Sequence, residues 1–298
     1  MRYKHIIMQL PNVLLKGMAE RRQGIPKALA TAVPSRQDYV LAANSLLESA
    51  DSTVLAYLWL AMESNHNIIV IADSCDAEGF VDSLCTLVPR FMTMIDTRGR
   101  IADRGTNFTD AVAMKRIGDA GVARIMQECI PDRIIAALGK GGMDKMFSSS
   151  KLGVSFIASV PRGAIGYHVV RGLCRRLRVR PENANMLDIS ISLSRNGDKY
   201  GITAVTEYRW LDRAEFGLKG NDFISKRYSN IRIIKDGTLD AVNAARSKVV
   251  GGMSRSHLAS NSEALGELGR RARFLDSLRT GNSMGKETNP IGLYYEIK

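Results

Sequence analysis

The chain has 298 residues, 45% of them hydrophobic, enough to bury a large core in one big domain or two small ones. No run approaches twenty uninterrupted apolar residues, so no transmembrane helix is expected, and Pro11 and Asn12 break the basic N-terminal stretch before any small-residue cleavage site, so it does not read as a signal peptide. A net charge of +12 suits an anionic partner, while four dispersed cysteines (Cys75, Cys85, Cys129, Cys174) and four dispersed histidines (His5, His66, His168, His257) form no C-x-x-C pair and no metal cluster, and read as the reduced thiols and isolated imidazoles of a cytoplasmic protein.

Residues 1–40 carry Pro11, Gly17, Gly24, Pro26 and Pro34 and read as an arm of short elements. From Val40 to Ser64 the pattern is helical: Leu55, Leu58, Trp59 and Met62 fall at i, i+3, i+4 and i+7, with Asp51 or Ser52 as N-cap. A strand is expected at Ile68–Ile71, a helix through Val88, a strand at Phe91–Ile95 and a short helix at Asp110–Ile117. Further expected elements are a helix near Arg124–Cys129, a strand at Arg133–Ala137, a helix at Met143–Ser149, a strand at Val154–Ser159 and a helix at Ile165–Leu177. Met186–Leu193 alternates as a strand with Leu187, Ile189, Ile191 and Leu193 on one face, and Tyr200–Trp210 reads as its partner. From Asp240 the chain turns helical, and Asn261–Leu278 presents Leu265, Leu268, Ala272, Phe274, Leu275 and Leu278 on one broad face. Helices separated by short β-branched strands indicate an α/β fold with a mostly parallel sheet, helices on both faces and an antiparallel extension. The expected division is an arm at 1–40, a core at 41–245 and a C-terminal helical segment and tail at 246–298.

The most informative stretch is Ile68–Phe80, IIVIADSCDAEGF. A strand, a short loop and a helix in that order form the setting of a phosphate-binding loop, which needs glycines for close backbone approach, a lysine on the phosphates and a Ser/Thr hydroxyl on magnesium. Laid over that motif, the loop Ala72, Asp73, Ser74, Cys75, Asp76, Ala77, Glu78, Gly79 places alanine at both glycines, Glu78 at the lysine and Gly79 at the hydroxyl. Asp73, Asp76 and Glu78 read as caps of the following helix, filling its anion site from within. The densest basic cluster, Arg171, Arg175, Arg176, Arg178 and Arg180, reads as a solvated helix face or subunit contact. No aromatic residue is interleaved among these arginines, so nucleic acid is not an expected partner.

Several segments in order resemble one family. Ala56–Ser74, AYLWLAMESNHNIIVIADS, is similar to the helix and strand entering the phosphate loop of type II/IV secretion system ATPases, the hexameric motors of pili, archaella and secretion systems, most of all their archaeal branch. Ile95–Thr97 resembles the acidic box of that family, Pro131–Ile135 (PDRII) its Walker B segment and Ser155–Ser159 (SFIAS) its histidine box. Val205–Tyr208 (VTEY) resembles a strand after that box, and Arg270–Leu278 (RRARFLDSL) the helix closing the archaeal motor domain. The resemblance spans roughly Leu46 to Leu278, and no counterpart of the family's large N-terminal domain is expected.

The resemblance implies a RecA-like P-loop core whose catalytic stations are lost. Glu78 and Gly79 stand at the phosphate loop, Leu138 replaces the Walker B glutamate and Ala158 the histidine, while Asp96 survives in the acidic box. At ~4 Å and an effective dielectric of about 20, a unit charge pair is worth roughly 4 kcal/mol, so exchanging lysine for glutamate turns attraction of a phosphate into repulsion. The implied role is an inert assembly or regulatory subunit without ATP, magnesium or other metal. Its implied setting is cytoplasmic, at the membrane face, in a ring of its own copies or with an active paralogous ATPase, against a membrane platform protein or an anionic membrane surface. In such a ring an inert subunit can still donate arginines to a neighbour's site, with Arg98, Arg100 and Arg104 as the candidates, and two alternatives stand beside this role: a divergent ATPase that still binds or hydrolyses ATP, and a basic nucleic-acid-binding adaptor.

Overall fold

The computed structural model describes residues 44–73, 77–88, 92, 94–96, 111–113, 131–137, 143–196, 199–210, 228–235, 238–256 and 260–280. Expectations for the N-terminal arm, for Arg124–Cys129 and for the tail beyond 280 lie outside these residues.

A helical stretch at 44–49 precedes helix α1 (Ser52–Glu63), where the Asp51 carboxylate accepts from the Thr53 amide at 2.7 Å as the expected N-cap. Asn65, at a positive φ of 55°, turns the chain into strand β1 (Ile68–Ala72). All five β1 residues are buried, as an interior strand of a parallel sheet requires, and the unbroken apolar run Ile68–Ala72 meets that requirement. Helix α2 (Ala77–Leu84) continues as a short 3₁₀ turn and leads to β2 (Met94–Asp96).

Next come β3 (Ala111–Ala113), β4 (Arg133–Ala137), helix α3 (Met143–Ser149) and β5 (Ser155–Pro161). Three short helices follow: α4 (Arg162–Ile165), α5 (Val169–Arg175) and α6 (Pro181–Ala184). The chain then forms β6 (Ile189–Asn196), β7 (Lys199–Trp210), β8 (Tyr228–Lys235) and β9 (Thr238–Leu239). Helices α7 (Ala241–Ala245), α8 (Lys248–Ser256) and α9 (Asn261–Arg279) complete the described chain.

The sheet order is β3-β2-β4-β5-β1-β6-β7-β8-β9. The first six of these strands are parallel, and β7, β8 and β9 add the antiparallel extension. The expected α/β architecture, with a mostly parallel sheet, an antiparallel extension and C-terminal helices, is therefore the observed one.

Alternation along the strands divides the interior in two. Ile68, Val70 and Ala72 pack with α1, α2, α8 and α9 on one face, whereas Ile69 and Ile71 pack with Met146, Phe147 and Leu173 from α3 and α5 on the other. On the first face α9 lies along α1: Trp59 and Phe274 meet with ring centroids 6.2 Å apart, and the Arg271 guanidinium sits 4.7 Å above the Trp59 ring. Arg271 is clamped between Glu63 at 2.8 Å and Glu267 at 3.1 Å, which compensates for its burial. On the same face the buried Glu207 carboxylate accepts from Tyr57, from Ser247 and from the Lys248 amide, tying α1, β7 and the start of α8 together.

The amino ends of the central strands are held by Asn67 and Arg133. Asn67 Oδ1 accepts from the Phe156 amide at 3.0 Å, its Nδ2 donates to Met186 O at 2.7 Å, and its carbonyl accepts from Ile189 N. Arg133 is wholly buried, donates to Met62 O at 2.8 Å, and is pulled by that burial down to about 10.

Four expectations change. Within the helix expected at Asp110–Ile117, the described residues Ala111–Ala113 form a strand, because the open backbone edge of β2 offers partners that outweigh local helix propensity. The expected helix Ile165–Leu177 is broken, since Gly166 adopts φ 76° at the end of α4 and Gly172 lets α5 approach so closely that a Cβ there would lie 1.8 Å from Ile165 O. Leu187 does not share a face with Ile189, Ile191 and Leu193; it precedes β6 and belongs to the opposite core, because the Asp188 and Ile189 amides are drawn to Asn67 O. The strand expected at Phe91–Ile95 is observed at Met94–Asp96.

Replacing Asn67 by alanine leaves the Phe156 amide and the Met186 carbonyl without partners. Urea denaturation should show a loss of about 2–3 kcal/mol with an unchanged denaturant slope.

Candidate crevice at the carboxyl ends of β1 and β5

The helix that follows β1 and the helices that follow its neighbour β5 leave on opposite faces of the sheet: α2 packs in the first core and α4 and α5 in the second. In open α/β sheets such a divergence opens a crevice beyond the strand ends, which is where ligands bind. The register Ala72↔Pro161 brings the next residue of each chain, Asp73 and Arg162, to the mouth of this crevice. There Arg162 Nε donates to Asp73 Oδ1 at 2.6 Å, and Arg162 Nη2 reaches Leu193 O of β6 at 3.5 Å. One guanidinium thus links the carboxyl ends of β1 and β5 to Leu193 of β6.

Among the expected loop residues, Ala72 and Ala77 are buried at the end of β1 and the start of α2. Ser74, Cys75 and Asp76 lie outside the described residues. Among the described residues, the Asp73 carboxylate is held by Arg162. Glu78 is half-buried in the first turn of α2, where a negative charge meets the positive end of the helix. A Cβ added at Gly79 would meet nothing within 4 Å, so a side chain there has room.

The structure separates the other expected stations from this crevice. Asp96 is level with Ile135, Ile135 with Ile157, and Ile157 with Ile68, the first residue of β1. Asp96 therefore lies about 13 Å down the sheet from the level of Ala72, buried within it. Ala158 pairs with Ile69 and Ala136 inside the second core and is closed off from the strand ends. Leu138, Arg98, Arg100 and Arg104 lie outside the described residues. Arg162, which lies in no motif, is the one site residue missed from the sequence; the signal for it is its position one residue past β5.

Among the described residues no group of three or more His, Cys, Asp or Glu side chains is placed to hold a metal ion, and no helix is long and apolar enough to cross a membrane. Burial, followed by the nearby Glu182, pushes the Cys174 thiol up to about 11.

No protein-family model and no curated protein sequence matches the chain. Among solved structures, the VirB11 ATPase of the Brucella suis type IV secretion system, crystallised in complex with sulphate, matches with a TM-score of 0.41 and 15% sequence identity. The match covers 50% of this chain and 51% of that one, so the chain aligns with about half the length of that protein.

The Asp73–Arg162 pair is partly open to solvent, with side-chain exposures of 69% and 31%. A double-mutant cycle with Asp73→Asn and Arg162→Gln should return a coupling of about 0.5–1 kcal/mol at low salt, falling when the salt is raised to about 0.5 M.

Proposed function

We propose that the chain is a catalytically inert relative of the secretion and pilus motor ATPases, serving as an assembly or regulatory subunit of a type IV filament or secretion machine. The observation that carries this reading is the Asp73–Arg162 bond across the mouth of the crevice. The sequence resemblance from Leu46 to Leu278 supplies the family.

A triphosphate seated there would meet Asp73, Asp76 and Glu78 in a loop that contains no lysine or arginine from Asp73 to Gly79. Arg162, the cation that reaches Asp73 at this mouth, already serves a carboxylate and a backbone carbonyl. Positioning and charge stabilisation are nearly the whole of phosphoryl-transfer catalysis, and these residues do not suit either task. No catalytic step through ATP is therefore assigned to the chain. In this reading the protein works by contact, in a ring of its own copies or beside an active paralogue, and against a membrane platform protein.

Isothermal titration of the full chain with Mg-ATP should give no binding heat up to about 1 mM, a Kd limit equivalent to roughly 4 kcal/mol. Micromolar binding by the natural chain would favour a divergent ATPase instead. The double variant Glu78→Lys, Gly79→Ser should gain at least tenfold in affinity for Mg-ATP, because it reverses the charge beside the phosphates and Gly79 has space for the hydroxyl.

A further inference from the structure

From Arg162 to Arg180 the chain holds six arginines and no lysine, aspartate or glutamate. The structure sorts them. Arg162 is held by Asp73, Arg180 by Asp144 at 2.8 Å, and Arg176 donates to Gly163 O at 3.1 Å. Arg171, Arg175 and Arg178 are exposed, and among the described residues none of the three has an ion-pair partner.

Arg171 and Arg175 stand four residues apart on the outer face of α5, opposite the buried Leu173, and Arg178 extends the row past the helix end at a positive φ of 58°. At the other end of the row, Tyr167 is 92% exposed and His168 is exposed beside it. Gly166 causes this arrangement: by ending α4 at φ 76° it turns Tyr167 and His168 out ahead of α5. Two rings therefore adjoin the arginine row that shows no aromatic residue when the cluster is read as sequence.

We propose that the surface Tyr167–His168–Arg171–Arg175–Arg178 is a docking strip for single-stranded nucleic acid. Each guanidinium offers a planar fork that pairs bidentately with a phosphodiester, and arginine rather than lysine is the residue suited to that geometry. Neighbours at i and i+4 lie about 5–6 Å apart, close to the repeat of phosphates along an extended strand. A ring as exposed as Tyr167 has no protein neighbour across its face and is free to take a splayed base, which a single strand provides and a duplex does not. Arg176 keeps its charge while donating to Gly163 O and adds to the field of the strip, and the exposed Tyr167 ring favours a base over a lipid headgroup as the occupant. The +12 charge of the whole chain draws any polyanion toward it. This inference is independent of what the β1–β5 crevice admits.

The test is fluorescence anisotropy of the full chain with a labelled oligothymidylate of about 20 nucleotides at about 50 and 200 mM NaCl. Three phosphate contacts predict a log–log salt slope near −2, which is about a twentyfold loss of affinity over that range. Tyr167→Ala should weaken binding about tenfold and leave the slope unchanged, and Tyr167→Phe should restore it. Arg171→Gln, Arg175→Gln and Arg178→Gln together should flatten the slope by about two, and Arg175→Gln alone by about 0.7, with the thermal midpoint held. Absence of oligonucleotide binding at low salt, equal binding by the variants, or capture by phosphatidylserine vesicles or polyglutamate in place of the oligonucleotide would each overturn the proposal.

Discussion

A carboxylate and a guanidinium from adjacent strand ends close the point where the helices of this fold diverge. Asp73 follows β1, Arg162 follows β5, and the register of the two strands makes them neighbours before any side chain is considered. The parallel sheet creates the crevice, because the connections leaving the neighbouring strands β1 and β5 run toward opposite edges of the sheet and so cover opposite faces. The amino acids at its mouth then decide what it admits. Here that choice is an internal ion pair beside a helix whose first turn carries Glu78.

The rest of the polar interior stabilises the layers and leaves the crevice alone. Asn67 and Arg133 hold the opposite, amino ends of the strands, and Glu207 and Arg271 sit between sheet and helices or between α1 and α9. Each has several polar partners, which is the condition under which a buried polar group is tolerated. The motif segments that resemble a motor ATPase thus persist chiefly as packing: the Trp59 region of α1 receives Phe274 and Arg271 of α9, and Arg133 of the PDRII segment bonds to the end of α1.

Much of this was readable from residue order. The unbroken apolar run Ile68–Ile71 announces an interior strand, Asp51 announces a helix start, and Tyr200–Trp210 reads as the partner of β6. The failures have a common cause in tertiary geometry. Ala111–Ala113 becomes a strand through an edge that only the assembled sheet provides. Leu187 changes sides because the Asp188 and Ile189 amides both bond to Asn67 O, which breaks the alternation just before β6. Gly172 was unremarkable until α5 had to pass against Ile165 O. Arg162 carries no motif, and its partner lies 89 positions away, so only the strand register reveals the pair.

The central claim is that the chain's own charges occupy the place of a nucleotide's phosphates. The most direct measurement is a crystal structure grown with a non-hydrolysable ATP analogue and magnesium. The account predicts no phosphate density beyond β1, with Arg162 still bonded to Asp73. A triphosphate seated between the β1 loop and α4, with Arg162 swung from Asp73 onto its oxygens, would contradict it.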